Sequence, residues 1–411
     1  MNYTKKHRAW LVMIGTILIQ AGMTGIFINC TGILFSAIIG ELHLKAGELS
    51  VYYMIRSFAS SIAVGITTKL FFKYPAKYVM TALGIILCSS FAAMCFFTEL
   101  WQWYLAAVFA GIGISCAMVA IPVVLNNWFH SNNGLVVGLT MSASGISGAI
   151  FGPICSGLIS AFGWRVTAVL MAGAGILLIA VPSLLVLSAT PEEVGCCPYG
   201  EKQRGTARAR QKQEVMGESH AGYTPAWVFP LSMVALLSVS SLTQFNNQIP
   251  TYAQSIGFDI ATGAIMASFS MVGNVVGKLS LGVLTDRIGI YRSIQLLVIL
   301  IAGSMGIFLY GDSSLLLLNA GAFVYGLVFA LMATAPALLY LDLYGIGTYR
   351  KKVSQLQAVS GIVMALLSTI FPYLYDWTGN FQLVFVYGAV ACAMSCIIFT
   401  KLQNFSKDRK E

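Results

Sequence analysis

Charged residues are scarce in this chain. Lys, Arg, Asp and Glu make up 9% of its 411 residues, against about 25% in ordinary soluble domains, which excludes a freely soluble globular protein. Acids are the scarcer sign, 15 against 24 Lys and Arg, and none of them lies inside a long apolar run. The four histidines (His7, His43, His130, His220) are scattered without metal-ligand spacing, so no metal centre and no cofactor are expected. The nine cysteines offer no extracellular pair: Cys196 and Cys197 share a polar loop and the other seven fall in apolar runs, so free thiols are expected. No phosphate-binding loop is present. "GIGISC" at residues 111–116 opens like a dinucleotide fingerprint, but Cys116 stands where the last glycine belongs and no strand precedes it. The first apolar run is read as a span and not as a cleavable signal, being too long and lacking a small-residue cleavage site. Paired acids or a metal set for catalysis are missing as well, so an enzyme is not expected.

What is abundant is apolar sequence, 57% of the chain. A helix needs about 20 residues to cross a hydrocarbon core of about 30 Å, and runs of that kind recur twelve times. They cover residues 9–35, 49–70, 78–97, 104–125, 135–162 and 164–187, then 226–250, 261–284, 294–309, 315–341, 353–373 and 381–400. The expected fold is therefore an all-α membrane protein of twelve transmembrane helices. With the N-terminus inside, 20 of the 24 basic residues fall on the cytoplasmic side and only Lys45 and Arg165 fall outside, as basic-residue bias requires. The net charge of +9 is thus topological, and nucleic acid is not an expected partner. Both termini are expected in the cytoplasm and the protein in the inner (cytoplasmic) membrane of a bacterium.

The apolar pattern stops only once for long, in the polar and basic stretch 188–225. It separates a six-helix half (1–187) from a second (226–401), followed by a tail (402–411). The halves rhyme: "AMVAIP" at 117–122 returns as "LMATAP" at 331–336, an offset of 214 residues, and "FGWR" at 162–165 is set against "DWTGNF" at 376–381. Two pseudo-symmetric halves are a common construction in secondary transporters.

Two basic residues lie within spans, Arg56 and Lys278. An ionisable group inside the membrane is costly and normally faces a water-filled path or a partner. Lys278 is a candidate fixed cation for a substrate anion, the bland alternative being a side chain that snorkels to the inner interface. Asn274 stands one turn before it on the same helix face; its side chain does not titrate, and an interhelical hydrogen bond is the competing role. Arg56 is expected close to the outer interface, snorkelling outward or lining the external vestibule, with a structural or electrostatic-funnel role favoured. "TQFNNQIP", Thr243 to Pro250, gathers amides near the outer end of the seventh span, making Asn246 and Asn247 candidates for substrate contact unless they merely cap a helix end. Asn29 and Tyr325 are weaker candidates of the same kind, Tyr325 being equally suited to core packing.

The stretch "GNVVGKLSLGVLTDRIGIYR" ends in Gly282, Asp286, Arg287 and Gly289, the spacing G-x-x-x-D-R-x-G. Here the chain resembles the major facilitator superfamily, whose hallmark loop follows the second helix of a half. The resemblance implies the major facilitator fold, alternating access by rocking of the halves, and a latch formed by the loop's carboxylate and basic residues. The first half departs from it, with Lys69 where the acid belongs. "NNWFHSNNGLVVGLTMSASGISGAIFGP" (126–153) and "PEEVGCCPYG" (191–200) are similar to the branch of monocarboxylate transporters and oxalate/formate antiporters, although Asn133 replaces its usual basic residue. That branch often carries a basic residue at the place of Lys278, four before Gly282. The resemblance implies a small organic anion, mono- or dicarboxylate, as substrate, moved by a monomer in a lipid bilayer with protons or a counter-anion as the coupled species. A drug exporter is the second choice, since a cationic drug would need an intramembrane acid; a transporter-like sensor is third.

Overall fold

The computed structural model describes residues 3–129, 133–188, 190–199, 225–310 and 314–408. Most of the polar stretch 188–225, including its basic cluster, lies outside the described residues. The described residues are helical nearly throughout and hold no strand; one isolated bridge joins Phe129 to Tyr199. Eleven helices among them are long and apolar enough to cross a membrane. One of these, Asn133–Leu185, is two spans joined at Gly163, whose φ of 76° breaks the helical path. The count is therefore twelve spans, as expected from the apolar runs.

The chain divides into two compact units, Met1–Gln211 and Lys212–Glu411. Within each, the turns between helices are set by residues that tolerate what helices do not. Gly163 and Gly379 adopt φ of 76° and 74°, a left-handed conformation open to glycine at little cost. They occupy matching places in the two rhyming loops and share a positive φ, while their ψ values differ, 166° at Gly163 and 2° at Gly379. Gly289, φ 82°, is the single residue between helices Ile260–Ile288 and Ile290–Tyr310. The first unit makes the matching turn with Tyr74 and Pro75, both outside the left-handed region. Helix starts are capped in the usual way: Asp259 Oδ1 accepts from Thr262 N at 2.9 Å, and Gln102 Oε1 accepts from Glu99 N at 3.0 Å in a capping box.

Several spans are not α-helical throughout: the tenth is divided at Leu327 and Thr334, and the first span of each unit holds a longer irregular stretch. The first passes through a π-helical stretch, Ala21–Asn29, and the seventh through a 3₁₀ stretch, Ser241–Gln248, before resuming as a helix to Ser255. Long runs of either kind inside a helix mark hinges or functional sites. Each is seated in an aromatic core of its own unit. Phe27 meets Phe91 edge-on at 5.0 Å; Phe245 contacts Tyr252, Phe308, Tyr325, Phe381 and Phe385 at 5.2 to 5.9 Å. Arg165 pairs with Glu41 and lies over the Trp164 ring at 4.2 Å, tying the Gly163 turn to the end of the first span.

Candidate functional site

In the second unit, helix Ile260–Ile288 carries Ser270, Asn274 and Lys278. Spaced by four residues, they share one face, and they rise about 12 Å along the axis at 1.5 Å per residue. Ser270 and Asn274 are buried and Lys278 is half-buried. Ser270 Oγ donates to Asn246 Oδ1 at 2.8 Å, joining this face to the 3₁₀ stretch of the seventh span. Asn274 Oδ1 is buried and accepts no hydrogen bond; its amide nitrogen faces only the Met271 sulfur, 3.9 Å away. Lys278 has no hydrogen-bond or ion-pair partner among the described residues, and no carboxylate oxygen within 4.0 Å. A buried amide oxygen without a donor and a lysine without an acceptor, one turn apart, are what a ligand bearing both acceptor and donor groups would satisfy.

The amides near Pro250 do not end a helix, because the chain continues helical through Ser255. They fall within the interruption itself. Asn246 is buried and bound to Ser270; Asn247 is half-buried and has no side-chain hydrogen bond among the described residues. Thr243, in the same stretch, lies 3.8 Å from the Met332 sulfur and 3.9 Å from that of Met364, so helices from three parts of the unit converge there. Tyr325 is wholly buried. Its hydroxyl donates to Leu242 O at 2.6 Å, and its ring packs on Phe245 and Phe308. The structure thus uses it to brace the carbonyl at the edge of the interruption. Tyr325→Phe removes one hydrogen bond worth about 0.5–1.5 kcal/mol; the expected result is a slightly lower Tm with the KM for transport unchanged.

In the first unit, Asn29 Nδ2 donates to Ser144 O at 3.0 Å, a tie between the first and fifth spans. Arg56 does not snorkel outward. It is buried, with 8% of its surface exposed, because it turns toward the π-helical stretch: Nη1 donates to Phe27 O at 3.2 Å, and the guanidinium lies 5.7 and 5.2 Å from the Tyr52 and Tyr53 ring centres.

The two units prove to be built alike at this point. A Cβ at Gly111 would strike Arg56 O and stand 2.9 Å from Ser60 N; a Cβ at Gly326 would strike Ser270 O and stand 2.9 Å from Asn274 N. Arg56 therefore corresponds to Ser270 and Ser60 to Asn274, each displaced by the 214 residues of the sequence repeat. Each of the two corresponding side chains reaches the irregular stretch of its unit's first span. Ser270 escaped notice in the sequence because an isolated serine in a span carries no signal; its spacing before Asn274 and Lys278 was the available clue.

The hallmark loop is also placed. Gly282 has nothing within 4 Å of its missing side chain, and Gly289 closes the turn. Asp286 and Arg287 are exposed and make no ion pair among the described residues. The chain carries Asn133 and no Lys or Arg just ahead of the fifth span. In the same run Gly138 has open space around it.

Paired six-helix units with interrupted first helices define a polytopic transporter fold. The family profile of the Major Facilitator Superfamily matches residues 14–349, and the chain belongs to that superfamily. Monocarboxylate transporter 13 of Rattus norvegicus is 24% identical over 411 residues, covering 97% of this chain and 90% of the relative. The uncharacterized MFS-type transporter YhjX of Escherichia coli is 23% identical over 72% of this chain and 70% of its own length. Among solved structures, the nucleoside transporter NupG superposes with a TM-score of 0.69 at 15% identity, covering 97% of this chain and 99% of that one. A D-xylose-proton symporter gives 0.66 at 12% identity, over 95% of each chain. At such identities these structures speak for the fold alone.

Proposed function

We propose that this transporter moves a small organic anion, a monocarboxylate first of all, and that Lys278 is the fixed cation that receives its carboxylate. The observation that carries the reading is a half-buried lysine within an apolar helix, in its cytoplasmic half, with no counter-charge within 4.0 Å among the described residues. The monocarboxylate transporters among its relatives support the same substrate class. Asn274 contributes its unpartnered oxygen to a hydroxyl or a protonated group of the substrate, and Asn246 and Asn247 line the interruption of the seventh span as polar contacts. Asn29 braces its half. Asp286 and Arg287 act in gating, through partners made in another state of an alternating-access cycle. One fixed cation on this face suits one carboxylate. A cationic drug is disfavoured, because no acid lies among these side chains.

In the same reading the one-sided basic residues support an orientation with both termini inside, and the membrane is the cytoplasmic membrane of a bacterium. Asn274 cannot titrate, so the reading favours exchange or facilitated movement over proton symport on this face. The test is uptake into proteoliposomes of labelled lactate, pyruvate, succinate, a nucleoside and a pentose, with and without an imposed pH gradient. Saturable uptake of the monocarboxylates, not accelerated by an inward proton gradient, is the expected result. Uptake of the neutral substrates alone would overturn the reading.

A further inference from the structure

The correspondence of Arg56 with Ser270 poses a chemical problem. In the second unit the contact to the interrupted span is made by a neutral hydroxyl, so the brace itself needs no charge. The first unit puts a guanidinium in the same place. An arginine carries five donors and remains charged at any pH a protein meets, and a buried charge without a counter-charge is among the costliest features a fold can hold. Arg56 is more than nine-tenths buried. No Asp or Glu oxygen lies within 4.0 Å of it among the described residues, and its hydrogen bonds there, to Phe27 O and to the Tyr52 hydroxyl, leave donors unused.

Its surroundings supply donors and few acceptors. The Phe27 carbonyl already accepts from Thr31 Oγ1 at 2.8 Å. The Tyr53 hydroxyl is buried and has no hydrogen-bond partner among the described residues, and the centre of its ring lies 5.2 Å from the guanidinium. Tyr52, Tyr53 and Phe35 close the other sides as an edge-on aromatic cluster, 5.0 to 5.8 Å between ring centres. What such an enclosure lacks is a small, negatively charged acceptor.

We propose that the first unit contains an anion site of its own, formed by the guanidinium of Arg56 and the hydroxyl of Tyr53, which takes one compact anion: a halide ion or a carboxylate group. The site lies wholly within one unit and does not depend on the role given to Lys278. Its anion neutralises Arg56 and fills the free valence of Tyr53, fixing the second span against the π-helical stretch of the first.

The experiment uses the full-length protein in detergent carrying Lys278→Gln, so that the other intramembrane cation is removed. Tm is followed while chloride, or separately acetate, replaces a bulky sulfonate at constant ionic strength. A ligand that binds only the folded state raises Tm with its concentration. Saturable stabilisation is expected from at least one of the two anions, weakened about tenfold in concentration by the added Tyr53→Phe and lost with the added Arg56→Gln. Chloride acting alone identifies a halide of the medium as the occupant, acetate acting alone a carboxylate, and competition between them a site open to both. If Arg56→Gln does not fold, Tyr53→Phe decides. No saturable effect of either anion, or an effect that Tyr53→Phe leaves unchanged, overturns the proposal.

Discussion

Lys278→Gln is expected to abolish saturable anion uptake while leaving the protein folded and, if anything, more stable. The two halves of this expectation come from one observation, that the lysine has no partner to lose among the described residues. Holding a lysine at the centre of a spanning helix costs about 2.5–3.5 kcal/mol on insertion scales, and glutamine relieves most of that. Truncating one member of a buried charge pair, by contrast, costs about 2–5 kcal/mol. At about 1.4 kcal/mol per factor of ten, this is roughly 30-fold to several thousand-fold in affinity for the substrate. A residue that destabilises the fold and is required by the ligand bears the mark of function. Lys278→Arg should retain partial uptake, because charge is kept while a planar fork replaces a point charge. The measurement is the KM and maximal rate of uptake in proteoliposomes together with Tm in detergent. Native uptake by Lys278→Gln would return the lysine to a snorkelling role and remove the main ground for an anionic substrate.

Much of the fold was legible because lipid imposes length and composition on each span. The number of helices, the repeat and the polar stretch between the halves all follow from that constraint. The site was legible only where it breaks the constraint, at Lys278, Asn274 and the amides before Pro250. Arg56 was seen, but the direction of its side chain was not. Counting residues from Glu48 gave its height along the helix, whereas its burial depends on which way the side chain turns, and that is decided by a carbonyl 29 residues earlier in the chain. The interruptions at Ala21–Asn29 and Ser241–Gln248 were partly hidden for the same reason. "TQFNNQIP" reads as a helix end because amides and proline are end signals, yet the aromatic cluster around Phe245 holds the chain in line and lets the helix resume. The glycines of the sequence do not announce their roles: a Cβ at Gly138, in a conspicuous small-residue run, would meet nothing within 4 Å, whereas Gly273 and Gly326, in less regular contexts, carry a close helix crossing.

That crossing gives the largest expected effect on stability. A Cβ at Gly326 would collide with Ser270 O and stand 2.9 Å from both Asn274 N and Gly273 Cα; one at Gly273 would collide with Phe323 O. Every one of these obstacles is backbone of a packed helix, so no rotamer change can make room and the two helices must move apart. Overpacking of this kind costs about 1–3 kcal/mol for small additions. On a scale of about 2–4 °C per kcal/mol for a unit of this size, Gly326→Ala should lower Tm by some 2–12 °C. Gly326→Val, with two further methyl groups in the same space, should yield no monodisperse protein. Gly306 is the control. It lies in helix Ile290–Tyr310 with nothing within 4 Å of its missing side chain, and Gly306→Ala should stabilise by up to about 1 kcal/mol through helix propensity alone. Opposite signs at two helical glycines, read by thermal unfolding in detergent, would tie the loss at Gly326 to the crossing. Separation of these helices also carries Ser270 and Asn274 away from the seventh span, so Gly326→Ala should raise the KM for transport although it touches no candidate ligand group; an unchanged KM together with an unchanged Tm would mean that the helices do not pack as closely as described.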